Sequence, residues 1–365
     1  MTGQSSVAKL NDFGQSPWYD NLTRALARGG LRTLLEHDGI RGVTSNPTIF
    51  EKAMGSGSDY DAQLATLSGL TTEAAYWTMV VDDIRGACDI LSVVYADSFG
   101  VDGYVSVEVS PELARDTRGT INQAKELWAR IDRPNVMIKI PATVEGLPAI
   151  TAVLAAGINV NVTLIFSLDR HQGVLDAHTS GIEQLLAAGG DISRVHSVAS
   201  FFVSRVDTET DPRLPDGHEL RGKAAVANAK LAYELFQHHV AGARWQALGS
   251  KGAPVQRPLW ASTSTKNAAY SPTLYVDELI GPDTVNTLAQ GSIDALQHHD
   301  GLRAHSVTDN LAAAHETMKA LAAAGVDFDD VTDTLERDGV DSFAASFRNV
   351  LHTLETKRAT LSPPV

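Results

Sequence analysis

The sequence lacks most of the marks of a secreted, membrane-spanning or nucleic-acid-binding protein. A single cysteine, Cys88, stands among 365 residues, so no intrachain disulfide can form. Its surroundings, DDIRGACDILSVV, read as a helix in which Cys88 is a small core residue. No uninterrupted apolar run approaches the roughly 18 residues that a membrane span needs. The N-terminal stretch MTGQSSVAKLNDFGQSPWYD has no apolar region of the secretory type, so a cytoplasmic protein with no membrane partner is expected. Positive charge is in the minority: 30 Lys and Arg against 44 Asp and Glu leave a net charge of −14. That disfavours a nucleic-acid partner, because phosphate backbones need a basic surface. Small anions remain open, since a local Arg/Lys cluster works inside an acidic protein.

Two further absences bear on chemistry. Neither GxGxxG nor GxxxxGK[ST] occurs, so no glycine-rich nucleotide loop is present. Neither HxxxH nor HExxH occurs among the 12 histidines. The adjacent pairs His238-His239 and His298-His299 make poor chelates, because neighbours on a helix do not share a face. No metal and no cofactor are expected. The composition, 43% hydrophobic and 20% charged, is that of a globular chain. Glycine and proline are scattered, so one domain is expected over 1–365, with 1–15 a flexible N-terminus.

What is present is alternation. Eight short β-type runs stand out: SPWYD (16–20), GVTSN (42–46), YVSVEVS (104–110), VMIKIPA (136–142), NVNVTLIF (159–166), HSVASFFVS (196–204), RPLWASTS (257–264) and TVNTLAQ (284–290). Helical patterns lie between them, at 71–97, 117–130, 145–156, 169–188 and 221–247. This is α/β architecture with a parallel sheet. An open doubly wound sheet would carry a glycine-rich loop after an early strand. Its absence favours a closed (β/α)8 TIM barrel. Such a barrel takes about 250 residues, so the surplus is assigned to helical insertions at 47–70, 308–324 and 339–358. The acidic stretch DTETDPRLPDGHEL (207–220) reads as a surface loop.

Alternate residues of a strand face opposite ways. In five of the runs one parity is mostly aliphatic or aromatic: Val43, beside Ser45; Val105, Val107 and Val109; Val136, Ile138 and Ile140; Val160, Val162, Leu164 and Phe166; Ala199, Phe201 and Val203. The other parity carries Asn46, Glu108, Lys139, Asn161, Thr163 and Ser200, with Asp20 ending the first strand and Ser262 in the seventh. Turned inward, these groups meet at one end of a barrel, where such folds place active sites. Lone hydroxyls in strands are ordinary. A midstrand Lys139 and Glu108, each flanked by aliphatics, are not, because buried charge is costly. The competing reading is a structural buried ion pair.

A poorly solvated amine is available in neutral form near pH 7 and can add to a ketone to give a Schiff base. Glu108 is the candidate acid/base, directly or through a water. Asn46 and Asn161 can hold hydroxyls through their amides. Asp20 can take a proton from the hydroxyl at the bond to be cleaved. Arg205, just past the sixth strand, and Ser262 with Lys266, past the seventh, can hold a phosphate.

The segments GVTSNPTIFEKA (42–53), VSVEVSPELARDT (105–117), VMIKIPATVEG (136–146), INVNVTLIFS (158–167) and ASFFVSRVD (199–207) resemble successive motifs of the transaldolase family. SPWYDNLTR (16–24), LWASTSTKN (259–267) and the C-terminal run to about residue 358 extend the likeness, the last matching the longer bacterial form. The resemblance implies a TIM barrel and a metal-independent transferase of the pentose phosphate pathway. A dihydroxyacetone unit would pass between sedoheptulose 7-phosphate and glyceraldehyde 3-phosphate, giving erythrose 4-phosphate and fructose 6-phosphate. It makes Lys139 the Schiff-base lysine, Glu108 the acid/base acting through a water that Thr163 also holds, and Asp20 the group at the C4 hydroxyl. Asn46, Asn161 and Ser200 would position the three-carbon unit, and Arg205 and Ser262 would contact phosphate. One segment departs from the pattern. ASTSTKN is two residues longer than the familiar A-S-F-R-N and carries Lys266 where arginine is usual. Two rival readings are a fructose 6-phosphate aldolase and a non-catalytic sugar-phosphate-binding barrel. Aldolase relatives carry Gln and Tyr where this chain has Glu108 and Phe202. Monomer and homodimer are both left open.

Overall fold

In the computed structural model, which describes residues 5–297 and 299–361, the eight runs form eight parallel strands closed into a barrel in chain order. They are β1 (Gln15–Tyr19), β2 (Gly42–Thr44), β3 (Tyr104–Glu108), β4 (Val136–Pro141), β5 (Val160–Ile165), β6 (Ser197–Phe202), β7 (Gln256–Ala261) and β8 (Thr284–Leu288). Strand β1 pairs with β8 as well as β2, which excludes the open sheet. Most of the expected runs are longer than the strands by one to three residues at their C-terminal ends. There the backbone leaves the sheet to build loops and caps.

Helices connect the strands and wrap the barrel: Thr72–Asp97 after β2, Thr117–Ile131 after β3, Gly146–Ala155 after β4, Leu168–Ala187 after β5 and Ala224–Ala241 after β6. Their starts are written locally. Thr71, Asp116 and Ser167 each accept a backbone N–H of the first turn. The aliphatic parity of the strands packs under this ring, with Val105, Val107, Ile138, Ile140, Val160 and Val162 all at most 1% exposed. Cys88 is buried in the first of these helices, and burial pushes its thiol up. Gly42 marks a close approach, since a Cβ there would stand 2.5 Å from the Trp18 ring.

Four expectations need correction. Within 1–15, residues Ser6–Asp12 form a helix that buries Val7 and Leu10, so the described part of this stretch is packed rather than flexible. Residues 207–220 do not start as a surface loop. Ser204–Thr210 is helical, and Asp207 is buried, accepting from Tyr275 Oη at 2.9 Å and from Ala225 N at 2.8 Å. The pattern at 221–247 breaks at Gly242 into two helices. Alternation in β5 ends at a bulge: the register against β6 shifts between Val162 and Ile165, and Leu164 takes a left-handed φ of 58°. Leu164 therefore does not continue the outward aliphatic row.

The surplus chain is helical, as expected. Pro47–Gly55 and Asp61–Thr66 follow β2, and Leu311–Ala323 follows β8. The last helix is longer than the sequence pattern indicates, Phe328–Leu361, 34 residues. It packs on Pro47–Gly55, on Ser204–Thr210 and on β5, which places it across the C-terminal end of the barrel.

Candidate active site

Lys139 is the fourth residue of β4, in register with Glu108 at the end of β3 and with Asn161 in β5. Register and inward parity bring the three together. Lys139 Nζ lies 3.5 Å from Glu108 Oε2 and donates to the Ser45 carbonyl at 3.4 Å. Lys139 is 5% exposed and Glu108 6%. Burial raises the Glu108 carboxyl to about 7, against the opposing pull of Lys139 and, more weakly, Arg205. Glu108 Oε2 has no hydrogen-bond partner among the described residues, and neither has Thr163 Oγ1 on the neighbouring strand. A carboxyl that titrates near neutrality beside an amine suits proton transfer during carbonyl addition.

Below this pair runs a chain of hydrogen bonds. Ser200 Oγ donates to Asn161 Oδ1 at 2.7 Å, and Asn161 Nδ2 donates to Ser106 Oγ at 2.9 Å. The chain locks the amide that sequence reasoning assigned to a substrate hydroxyl. Asp20 follows β1 directly, half-buried, and its carboxylate accepts from Thr44 Oγ1 at 2.8 Å. Asn46 is the N-cap of Pro47–Gly55. Its Oδ1 accepts from Ile49 N at 2.9 Å, so its amide nitrogen is the group left for other partners.

Arg205 is half-buried between two rings, with Cζ 5.1 Å from the centroid of Phe202 and 6.0 Å from that of Phe343. Burial lowers its pKa, while Asp20 and Glu108 oppose the shift. Ser262 adjoins this segment. It has a left-handed φ of 57°, its Oγ lies 2.9 Å from Ser204 Oγ, and its carbonyl accepts from Ser204 N. Lys266 is placed differently, exposed in a groove lined by Asp207, Asp211, Arg221 and Tyr270.

A family model described as transaldolase/fructose-6-phosphate aldolase matches residues 17–354. The chain belongs to this family. Among transaldolases, that of Mycobacterium ulcerans is 50% identical over 98% of both chains. That of Saccharopolyspora erythraea is 49% identical over 97% of this chain and 98% of its own. The Thermobifida fusca transaldolase is 50% identical over 95% and 96%. Membership at this identity carries transaldolase activity, a group transfer, to this chain. Among the described residues no helix is long and apolar enough to cross a membrane, and no three His, Cys, Asp or Glu side chains form a metal-holding group. His298 lies outside the described residues.

Three groups at this candidate site were not singled out as site residues from the sequence. Ser106 shares the parity of Glu108 and was legible as an inward hydroxyl. The Ser45 carbonyl is a backbone group, invisible to side-chain patterns. Phe343 comes from the C-terminal helix, far along the chain from every strand, and no local signal points to it.

Proposed function

We propose that this chain transfers a dihydroxyacetone unit from sedoheptulose 7-phosphate to glyceraldehyde 3-phosphate, giving erythrose 4-phosphate and fructose 6-phosphate, through a Schiff base on Lys139. The observation that carries this reading is the buried Lys139–Glu108 pair, 3.5 Å apart, with a carboxylate oxygen that has no hydrogen-bond partner among the described residues. The Lys139 amine adds to the C2 ketone, and water leaves as the iminium forms. Glu108 moves the protons of addition and dehydration, through a water shared with Thr163. Asp20, oriented by Thr44, takes the C4 hydroxyl proton as the C3–C4 bond breaks. The iminium receives the electron pair as an enamine, and the aldose leaves. The enamine carbon then attacks the acceptor aldehyde, and the steps reverse. Asn46, Asn161 and Ser200 hold the three-carbon unit, while Arg205 and Ser262 face the phosphate end.

Borohydride reduction with fructose 6-phosphate tests the mechanism. A three-carbon adduct on Lys139 is expected by intact mass and peptide mapping; an adduct elsewhere, or none, would sink it. Chelators are expected to leave the rate unchanged. The aldolase reading is opposed by Glu108 and Phe202 and is separated by measuring free dihydroxyacetone with and without an acceptor. The soluble sugar phosphates are the partners of this reading, and the cytoplasm is its compartment.

A further inference from the structure

The C-terminal helix supplies a ring that no strand could supply. Gly339 and Phe343 stand one turn apart on its buried face. A Cβ on Gly339 would lie 2.9 Å from Leu164 Cδ2, so glycine lets the helix descend onto the bulge of β5. The descent brings the Phe343 ring centroid to 5.9 Å from Lys139 Nζ and 6.0 Å from Arg205 Cζ, with Phe343 itself 3% exposed. Both cations fall within the roughly 6 Å at which a ring face attracts them. Arg170 on the helix after β5 bonds Glu336 at 3.1 Å, and Thr48 meets Ser346 at 2.8 Å, so the helix is pinned on both sides of the ring.

We propose that Phe343 is a specificity-determining residue: covering the Lys139 amine, it directs the bound three-carbon unit to an aldehyde rather than to water. The inference rests on the Schiff-base reading. After C3–C4 cleavage the unit remains on Lys139 as an enamine with two exits. In the first, its carbon attacks an aldehyde, forming a C–C bond, and the product is released by hydrolysis of the new iminium. In the second, the same carbon takes a proton, water adds at C2, and the C–N bond breaks. That route returns the proton, restores the amine and releases dihydroxyacetone, consuming one water. Both exits end in iminium hydrolysis, so the partition is set at the enamine carbon, where an aromatic cover slows the second exit by keeping proton-donating solvent away from that carbon.

The test measures, with saturating acceptor, the share of cleaved fructose 6-phosphate that appears as free dihydroxyacetone. Phe343→Ala is expected to raise that share about tenfold, and Phe343→Leu, which keeps apolar bulk without the ring, by less. Val350→Ala, buried on the same helix, controls for loosened packing and is expected to keep the wild-type share. If Phe343→Leu and Phe343→Ala form the borohydride adduct on Lys139 yet partition as wild type, the inference fails while the Schiff-base reading stands. If the wild-type enzyme forms no adduct on Lys139, both fail together.

Discussion

At the N-terminal end of the barrel Arg257 and Asp102 are 2.9 Å apart; at the C-terminal end Lys139 and Glu108 are 3.5 Å apart. Both pairs are buried. Around the first, Arg257 also donates to Ser16 Oγ and to the Val101 carbonyl, each at 2.9 Å, and Ser16 donates to Asp102 Oδ2 at 2.8 Å. Around the second, Lys139 has a long bond to a carbonyl, and among the described residues Glu108 Oε2 has no hydrogen-bond partner. A saturated ion pair closes the floor of the barrel. We read the unsaturated pair of the same charge type as the one left open for a reactant, because a buried carboxylate oxygen without a partner, on a carboxyl raised to about 7 beside an amine, suits a functional site better than a structural pair.

The comparison is broken most directly by removing one cation from each pair. Lys139→Met is expected to cost about 10⁴-fold or more in turnover, since the proposed nucleophile is lost. Its unfolding free energy should change little, because the Glu108 carboxyl, already raised to about 7, takes a proton once its partner is gone. Arg257→Met should invert both results. Asp102 is left buried and unpaired, which costs about 3–5 kcal/mol by urea denaturation, while turnover per folded molecule stays near wild type. Equal destabilisation of the two variants would erase the distinction between the ends.

Glu108→Gln sharpens the comparison along the pH axis. The folded Glu108 titrates above the ordinary carboxylate range, so folding favours its protonated form. Its stabilising contribution is complete below about 4.5 and is lost as pH rises through about 7. Glutamine mimics the protonated form and does not titrate. The variant should therefore match wild type in acid and exceed it above pH 7, with about 1.4 kcal/mol for every tenfold difference in proton affinity between the folded and unfolded chain. Activity should fall roughly a hundredfold, and the limb of the pH–rate profile near 7 should disappear. A limb that persists in Glu108→Gln belongs to another group.

The barrel was legible in sequence because strand parity is a strict rule and the core demands it. Lys139 between Ile138 and Ile140, and Glu108 after Val107, could only face inward together once the aliphatics faced the helices. Two features lay beyond that rule. Leu164 breaks alternation by adopting a left-handed φ, a backbone state its residue type does not announce. Phe343 reaches the site through tertiary descent of a helix onto Leu164, and Gly339, which permits it, reads locally as a weak point of that helix. The buried Asp207 was missed because its acidic neighbours dominate the pattern, although Tyr275 and Ala225 satisfy it from distant segments.

The smallest test uses one hydroxyl from each end. Thr163 Oγ1 is fully buried without a partner among the described residues, so Thr163→Val keeps the shape and breaks none of their hydrogen bonds. Its stability should equal or slightly exceed wild type. If the hydroxyl holds the proton-carrying water beside Glu108, turnover should fall about tenfold, roughly the loss of one positioned hydrogen bond in the transition state. Ser16→Ala removes a hydroxyl of similar burial that serves Arg257 and Asp102 at once. It should cost about 1–3 kcal/mol of stability, because two charged groups lose a partner, and leave turnover per folded molecule unchanged. A Thr163→Val enzyme that is destabilised but fully active would place that hydroxyl with the floor of the barrel rather than with its reactive end.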